Sequence, residues 1–177
     1  MSISRKTITH ALVATATMAT LGIAAPQASA TENPSIAGVV ISPKASAATR
    51  ALAAMDPKAV QDTANLCGAG YKLELATRLP DARRFGTLFE YQNGASNECA
   101  LFDNNLGTSK YMKLSVCEVY NGHRACSTDA GNFTQYAGPV RVTYGFCANI
   151  TAIMKDSAGT SDSSALINRV VPAVPCD

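Results

Sequence analysis

The chain contains no tryptophan and only two histidines among its 177 residues. Aromatic burial therefore falls on five Phe and six Tyr side chains. Charge is sparse as well, with Asp, Glu, Lys and Arg making up 16% of the chain. No basic run of five residues occurs, and Arg83-Arg84 is the densest point beyond the first few residues. A nucleic-acid backbone binder usually needs a concentrated positive patch, so that class is disfavoured. No CxxC spacing is present, and tetrahedral zinc sites usually rest on such close ligand pairs. No Gly-rich phosphate cradle follows a strand.

Long apolar runs are also missing. The longest, Ala11 to Ala25, spans fifteen residues, short of the roughly 20 a membrane helix needs. It follows Arg5, Lys6 and His10 and precedes Ala28-Ser29-Ala30. A short basic start, an apolar stretch and small residues at the cut form a cleaved secretory signal. Cutting after Ala30 predicts a mature chain with no transmembrane segment. Arg5 and Lys6 leave with the leader, so thirteen basic residues face thirteen acidic ones and His123 is the single histidine.

All six cysteines lie beyond the leader, at Cys67, Cys99, Cys117, Cys126, Cys147 and Cys176. An even number in an exported chain predicts three disulfides, with fifteen pairings allowed.

The chain divides by texture. Residues 31–65 are Ala-rich, lack aromatics and cysteines, and hold Pro34, Pro43 and Pro57. They read as a loose arm. Ile36 to Ile41 is expected to dock as an edge strand or to stay mobile. Asp56-Pro57 offers a helix opening, with Asp as cap and Pro at the first position. It predicts a short helix from Lys58 to about Asn65, or alternatively the break that ends a helix over Ala45 to Ala54. From Leu66 onward the period becomes two. Tyr71, Leu73 and Leu75 alternate with Lys72 and Glu74, Leu88, Glu90 and Gln92 with Thr87, Phe89 and Tyr91, and Val140, Val142 and Tyr144 with Arg141 and Thr143. Such alternation predicts half-buried antiparallel strands. The expected fold is all-β, a small antiparallel sandwich or barrel-like domain stapled by three disulfides, with a flexible or partly helical N-terminal arm. The divisions are 1–30 signal peptide, 31–65 arm and 66–177 disulfide-bonded β domain.

One hairpin can be read to the residue. Asn121-Gly122 favours a two-residue turn, which pairs Tyr120 with His123 and makes every pair sum to 243. Cys117 and Cys126 then face each other. Counting back from the turn makes them a non-hydrogen-bonded pair, with Cα atoms about 4.5 Å apart, within disulfide range. Met112, Leu114 and Val116 take one face. Lys113, Ser115 and Cys117 take the other, so this disulfide is expected outside the core. The remaining four cysteines allow three pairings: Cys67–Cys99 would tie the first three strands, while Cys67–Cys147 with Cys99–Cys176 would tie sequence-distant parts, and the residues do not choose.

Chemistry is harder to find. His123 stands at the turn with Ser127 and Asp129 nearby, but no nucleophile elbow accompanies them. Glu74, Glu90, Glu98, Asp103 and Glu118 are the candidate acids for glycosidase-type work. Alternation puts most of them on a solvated face. Asp103 to Gly107 is rich in oxygen ligands but lacks the alternating calcium-loop pattern, so it reads as a plain turn. No catalytic residue, metal ligand or cofactor site is assigned. Asp129 to Tyr144 presents Phe133, Tyr136 and Tyr144 among Asn, Gln and Thr, a pattern suited to stacking on sugars or packing on a protein. The competing reading places Phe133 and Tyr136 in the core.

Three pieces carry a resemblance: Leu66-Cys-Gly-Ala-Gly-Tyr71, Gly86-Thr-Leu-Phe-Glu-Tyr91 with Asn97 and Cys99, and Asp129-Ala-Gly-Asn-Phe-Thr-Gln-Tyr-Ala-Gly-Pro-Val140 followed by Cys147. Over roughly residues 66 to 150 the chain resembles the spore-associated protein A family of streptomycetes and related actinobacteria. The resemblance implies a small exported protein linked to the spore or aerial-hyphal surface, and it brings no catalytic residues. The chain departs from the family pattern in the Cys117 and Cys126 pair, the Ala-rich arm and the polar tail, so release into the medium stays open. The expected function is a secreted, non-catalytic structural or surface-interaction protein. Its partner would be a cell-surface or spore-surface polymer or another secreted protein. The alternative is a carbohydrate- or protein-binding module, including an enzyme inhibitor.

Overall fold

The computed structural model describes residues 34–120, 123–145 and 147–173. The signal expected over residues 1–30, the Asn121-Gly122 turn itself and Cys176 lie outside the described residues.

The described chain begins with a small hairpin of β1 (Ser35–Ile36) and β2 (Val39–Val40). Ile41 then bridges to Leu73 and is almost fully buried. Two helices follow. In α1 (Ala47–Met55), the Ser46 hydroxyl accepts from the Thr49 N–H at 3.0 Å. That satisfies one of the donors a helix start leaves open. Thr49, Leu52 and Ala53 are its buried residues, the three- and four-residue spacing of one helix face. Pro57 cannot continue α1, since it lacks an N–H and its ring collides with the preceding turn. The same residue opens α2 (Pro57–Cys67), where the Asp56 carboxylate accepts from the Ala59 N–H at 3.3 Å. Both helices expected around Asp56-Pro57 are therefore present together. The segment is not loose: it buries Leu52, Ala53, Val60 and Ala64.

Eight strands follow: β3 (Lys72–Leu79), β4 (Gly86–Asn93), β5 (Asn97–Asn104), β6 (Lys110–Tyr120), β7 (His123–Phe133), β8 (Tyr136–Val142), β9 (Asn149–Lys155) and β10 (Ile167–Pro172). They make two four-stranded antiparallel sheets, β3-β4-β5-β8 and β10-β9-β6-β7. The sheets pack as a sandwich around Leu88, Phe102, Leu114, Val140, Ile150 and Met154. The other face of the first sheet carries Leu73, Phe89, Tyr91 and Leu101, which pack with Val60 and Ala64 of α2 and Leu52 of α1. The architecture is thus helices, sheet, sheet, with the first sheet buried on both faces.

This second layer corrects the expected alternation. A bulge between Leu73 and Leu75 breaks the period of β3. Leu73 turns to the helices while Leu75 packs on the sandwich core. Every residue of β4 from Gly86 to Tyr91 is buried.

The hairpin register is the one the Asn-Gly turn dictates, from Tyr120↔His123 through Cys117↔Cys126 to Lys110↔Phe133. The Cys117–Cys126 disulfide has a Cα separation of 4.0 Å, and Met112, Leu114 and Val116 are fully buried on the opposite face. Cys67–Cys99 is the second disulfide, with Cα atoms 5.8 Å apart. It joins the last residue of α2 to β5, so it fastens the helical layer to the first sheet rather than strand to strand. Cys147 is also disulfide-bonded. Among the described residues no helix is long and apolar enough to cross a membrane.

Candidate functional site

The Asp129–Val140 run forms the end of β7, a two-residue turn and most of β8. Its local chemistry explains its shape. Gly138 has φ of +103°, and a Cβ there would lie 2.8 Å from the Ala100 carbonyl oxygen. Only glycine combines that backbone with that approach at little cost. The Gly138 N–H donates to the Asp129 carboxylate at 2.7 Å, tying the two strands. β8 carries one more residue than β5 between the pairs Ala100↔Val140 and Phe102↔Ala137, so it bulges at Gly138-Pro139. The bulge re-aims the strand. Ala137 and Val140 enter the sandwich core, while Tyr136 packs at the helix-side core.

The turn Thr134-Gln135 is held by Asn104. The Asn104 N–H donates to the Gln135 carbonyl at 2.6 Å, and its side-chain amide donates to the carbonyls of Thr108 and Phe133 at 2.9 and 3.0 Å. The Asn104 Oδ1 accepts from the Leu106 N–H at 3.1 Å. The oxygen-rich Asp103–Gly107 stretch therefore spends Asn104 on stitching two turns together. Among the described residues no three His, Cys, Asp or Glu side chains gather as metal ligands.

Between this turn and α2 runs a cleft of about 500 Å³. Asp56, Asp62 and Thr63 form its helix wall, and Asp103, Gln135 and Tyr136 its sheet wall. The helix wall is pinned from below by Tyr91, whose hydroxyl lies 2.6 Å from the Thr63 hydroxyl and donates to the Val60 carbonyl at 2.9 Å. Burial pushes that phenol far above its ordinary range.

The acids of the cleft differ in their company. Arg84 pairs with Asp56, and Lys58 pairs with Asp62 on the exposed side of α2. Among the described residues no side chain pairs with or donates to Asp103. Burial, then the charge of Asp56, pushes the Asp103 carboxyl up to about 6, with Arg84 pulling the other way. Asp103 and Tyr136 are direct cross-strand partners. Their side chains thus stand together on the sheet face that looks at α2, with Cβ atoms roughly 5 Å apart.

The three aromatics named from sequence are distributed, not gathered. Phe133 faces inward on β7 and packs on the sandwich core. Tyr136 is half-buried and lines the cleft. Both border the hollow around Thr134-Gln135. Tyr144 is 47% exposed and lies beyond the far end of β8, on the order of 25 Å away along the strand.

The candidate acids also move from their expected places. Glu74, Glu90 and Glu98 are buried, not solvated. Glu74 sits at the β3 bulge, where burial raises its pKa against a hydrogen bond from Ser42. Glu90 and Glu98 lie on the sandwich face of adjacent strands, as Glu90↔Ala100 and Gln92↔Glu98 show. Glu98 is 1% exposed, and burial pushes its carboxyl up to about 8. Gly145 closes over it, so tightly that a Cβ would fall 2.3 Å from the Glu98 Cβ. The Glu118 carboxylate accepts from the Tyr144 N–H at 3.0 Å and so anchors the same segment.

Comparison of the chain with protein families, curated proteins and solved structures returned no match.

Proposed function

We propose that this is a secreted, non-catalytic surface-interaction protein, related to the spore-associated proteins it resembles, that holds its partner in the cleft between α2 and the β7–β8 turn. The cleft carries the reading. It is a groove of about 500 Å³ that presents a tyrosine, carboxylates, an amide and hydroxyls at once. Polar groups converging around a partly apolar wall are what a recognition site requires. The Asp129–Val140 run, the most distinctive part of the resemblance, builds one wall of it.

The buried glutamates support the same reading. Carboxylate pairs that cleave glycosidic bonds need room for substrate between them. Glu90 and Glu98 are buried, and Gly145 closes over Glu98. The disulfides at Cys67–Cys99 and Cys117–Cys126 suit an oxidising, extracellular setting.

Fractionation of the source culture tests this. The mature protein should begin at Thr31 by intact mass and remain with washed cells or spores. Recovery wholly in the medium would remove the surface role and leave a released binding module.

A further inference from the structure

We propose that the cleft receives a basic side chain, the ammonium or guanidinium group of a positively charged peptide segment on a partner protein, held between Asp103 and the ring of Tyr136. This rests on the cleft being the binding site and adds the chemistry of its occupant.

The argument starts from the cross-strand pair. Asp103 and Tyr136 are direct partners on one sheet face, so a carboxylate and an aromatic ring stand side by side at the cleft wall. A cation between them meets a full negative charge and the negative face of the ring together. The surrounding charge points the same way. Arg84 and Lys58 are engaged by Asp56 and Asp62. Asp103 keeps no cation of its own among the described residues. Its carboxyl is held up to about 6 by burial and by the neighbouring Asp56. A bound cation stabilises the ionised carboxylate against that burial and charge, which Arg84 offsets only in part. Tyr136 is half-buried against the helix-side core. It therefore offers part of its side chain to the cleft. The exposed Thr134 and Gln135 extend the wall with groups that can bond a peptide backbone.

The test is fluorescence anisotropy with labelled tetra-arginine and tetra-lysine peptides, at low salt and pH 7. N-acetylglucosamine tetramer serves as the neutral sugar probe in a calorimetric arm. The wild-type protein should bind the peptides. Asp103→Asn and Tyr136→Ala should each weaken binding by tenfold or more. Glu118→Gln, which removes one charge at the other end of the sandwich, should change it less than twofold. Affinity should fall between pH 7 and pH 5 as Asp103 takes up its proton, and Asp103→Asn should abolish that fall. Peptide binding that ignores Asp103, or sugar binding that depends on Tyr136 but not on Asp103, overturns the inference. Cell retention that depends on the cleft while neither peptide binds overturns this inference alone. Retention indifferent to both cleft substitutions overturns the underlying binding reading as well.

Discussion

Buried carboxyls set the pH response of this protein residue by residue. Glu98 takes up its proton near pH 8 in the folded chain, well above the ordinary carboxylate range. A group whose folded pKa is raised stabilises the fold below its unfolded pKa and loses that contribution as pH rises through the folded value. Asp103, raised to about 6, acts in the same direction over a lower window. The melting temperature should therefore fall as pH rises from 5 to 8.5. Glu98→Gln, an uncharged near-isostere, should flatten most of the fall above pH 6 and raise the melting temperature at pH 8. An unchanged slope in that variant would show that Glu98 is not the group responsible. Gly145 has its own consequence. An alanine there would press its Cβ into Glu98, and overpacking of this kind costs about 1–3 kcal/mol. Denaturant midpoints of Gly145→Ala against wild type measure it. Asp103→Asn should raise the melting temperature at pH 7 and leave it nearly unchanged below pH 4, because the fold disfavours the ionised carboxyl.

Elements show where sequence was sufficient and where it was not. The β6–β7 register follows from one dipeptide, because a two-residue turn fixes every pair beyond it. That made the Cys117–Cys126 pairing legible. The β3 bulge was not legible, since nothing in the residues flanking Glu74 marks an extra residue, whereas the β8 bulge left a signal in Gly138-Pro139, a pair a regular strand seldom holds. The helical layer was only half legible. Its caps at Ser46 and Asp56 follow known rules, but its packing face is mostly small, with Ala53 and Ala64 beside Leu52 and Val60. An Ala-rich stretch without aromatics gives a weak apolar signal. Missing that layer is why Glu90 and Glu98 were expected in solvent: a sheet covered on both faces no longer alternates between core and water. The two disulfides should differ accordingly. In the chain-entropy account, closing the loop of separation 9 stabilises by about 2.5 kcal/mol and that of separation 32 by about 4 kcal/mol. Replacing Cys67 and Cys99 by serine should thus destabilise more than replacing Cys117 and Cys126, as read by chemical denaturation. It should also loosen α2 and raise amide exchange along the cleft wall, whereas the hairpin pair should leave that wall protected.

For the whole molecule, the three layers explain where the proposed recognition surface falls. The sandwich core supplies rigidity, the helices cover the second face of the first sheet, and the seam between α2 and the β7–β8 turn is left as the polar groove. The Asp129–Val140 run reaches both sides of this plan through its bulge, sending Ala137 and Val140 into the sandwich and Tyr136 to the seam. Sequence pointed to that run as a binding surface but could not choose among its aromatics. The choice depends on the bulge and on the helical layer. Co-sedimentation of the purified mature protein with washed cells or spores of its source joins these scales in one comparison. Wild type should pellet with the cells, while Tyr136→Ala and Asp103→Asn, with circular dichroism spectra like that of wild type and both folded at the assay temperature, should stay in the supernatant. Equal pelleting of all three proteins, or none by wild type, would contradict the account.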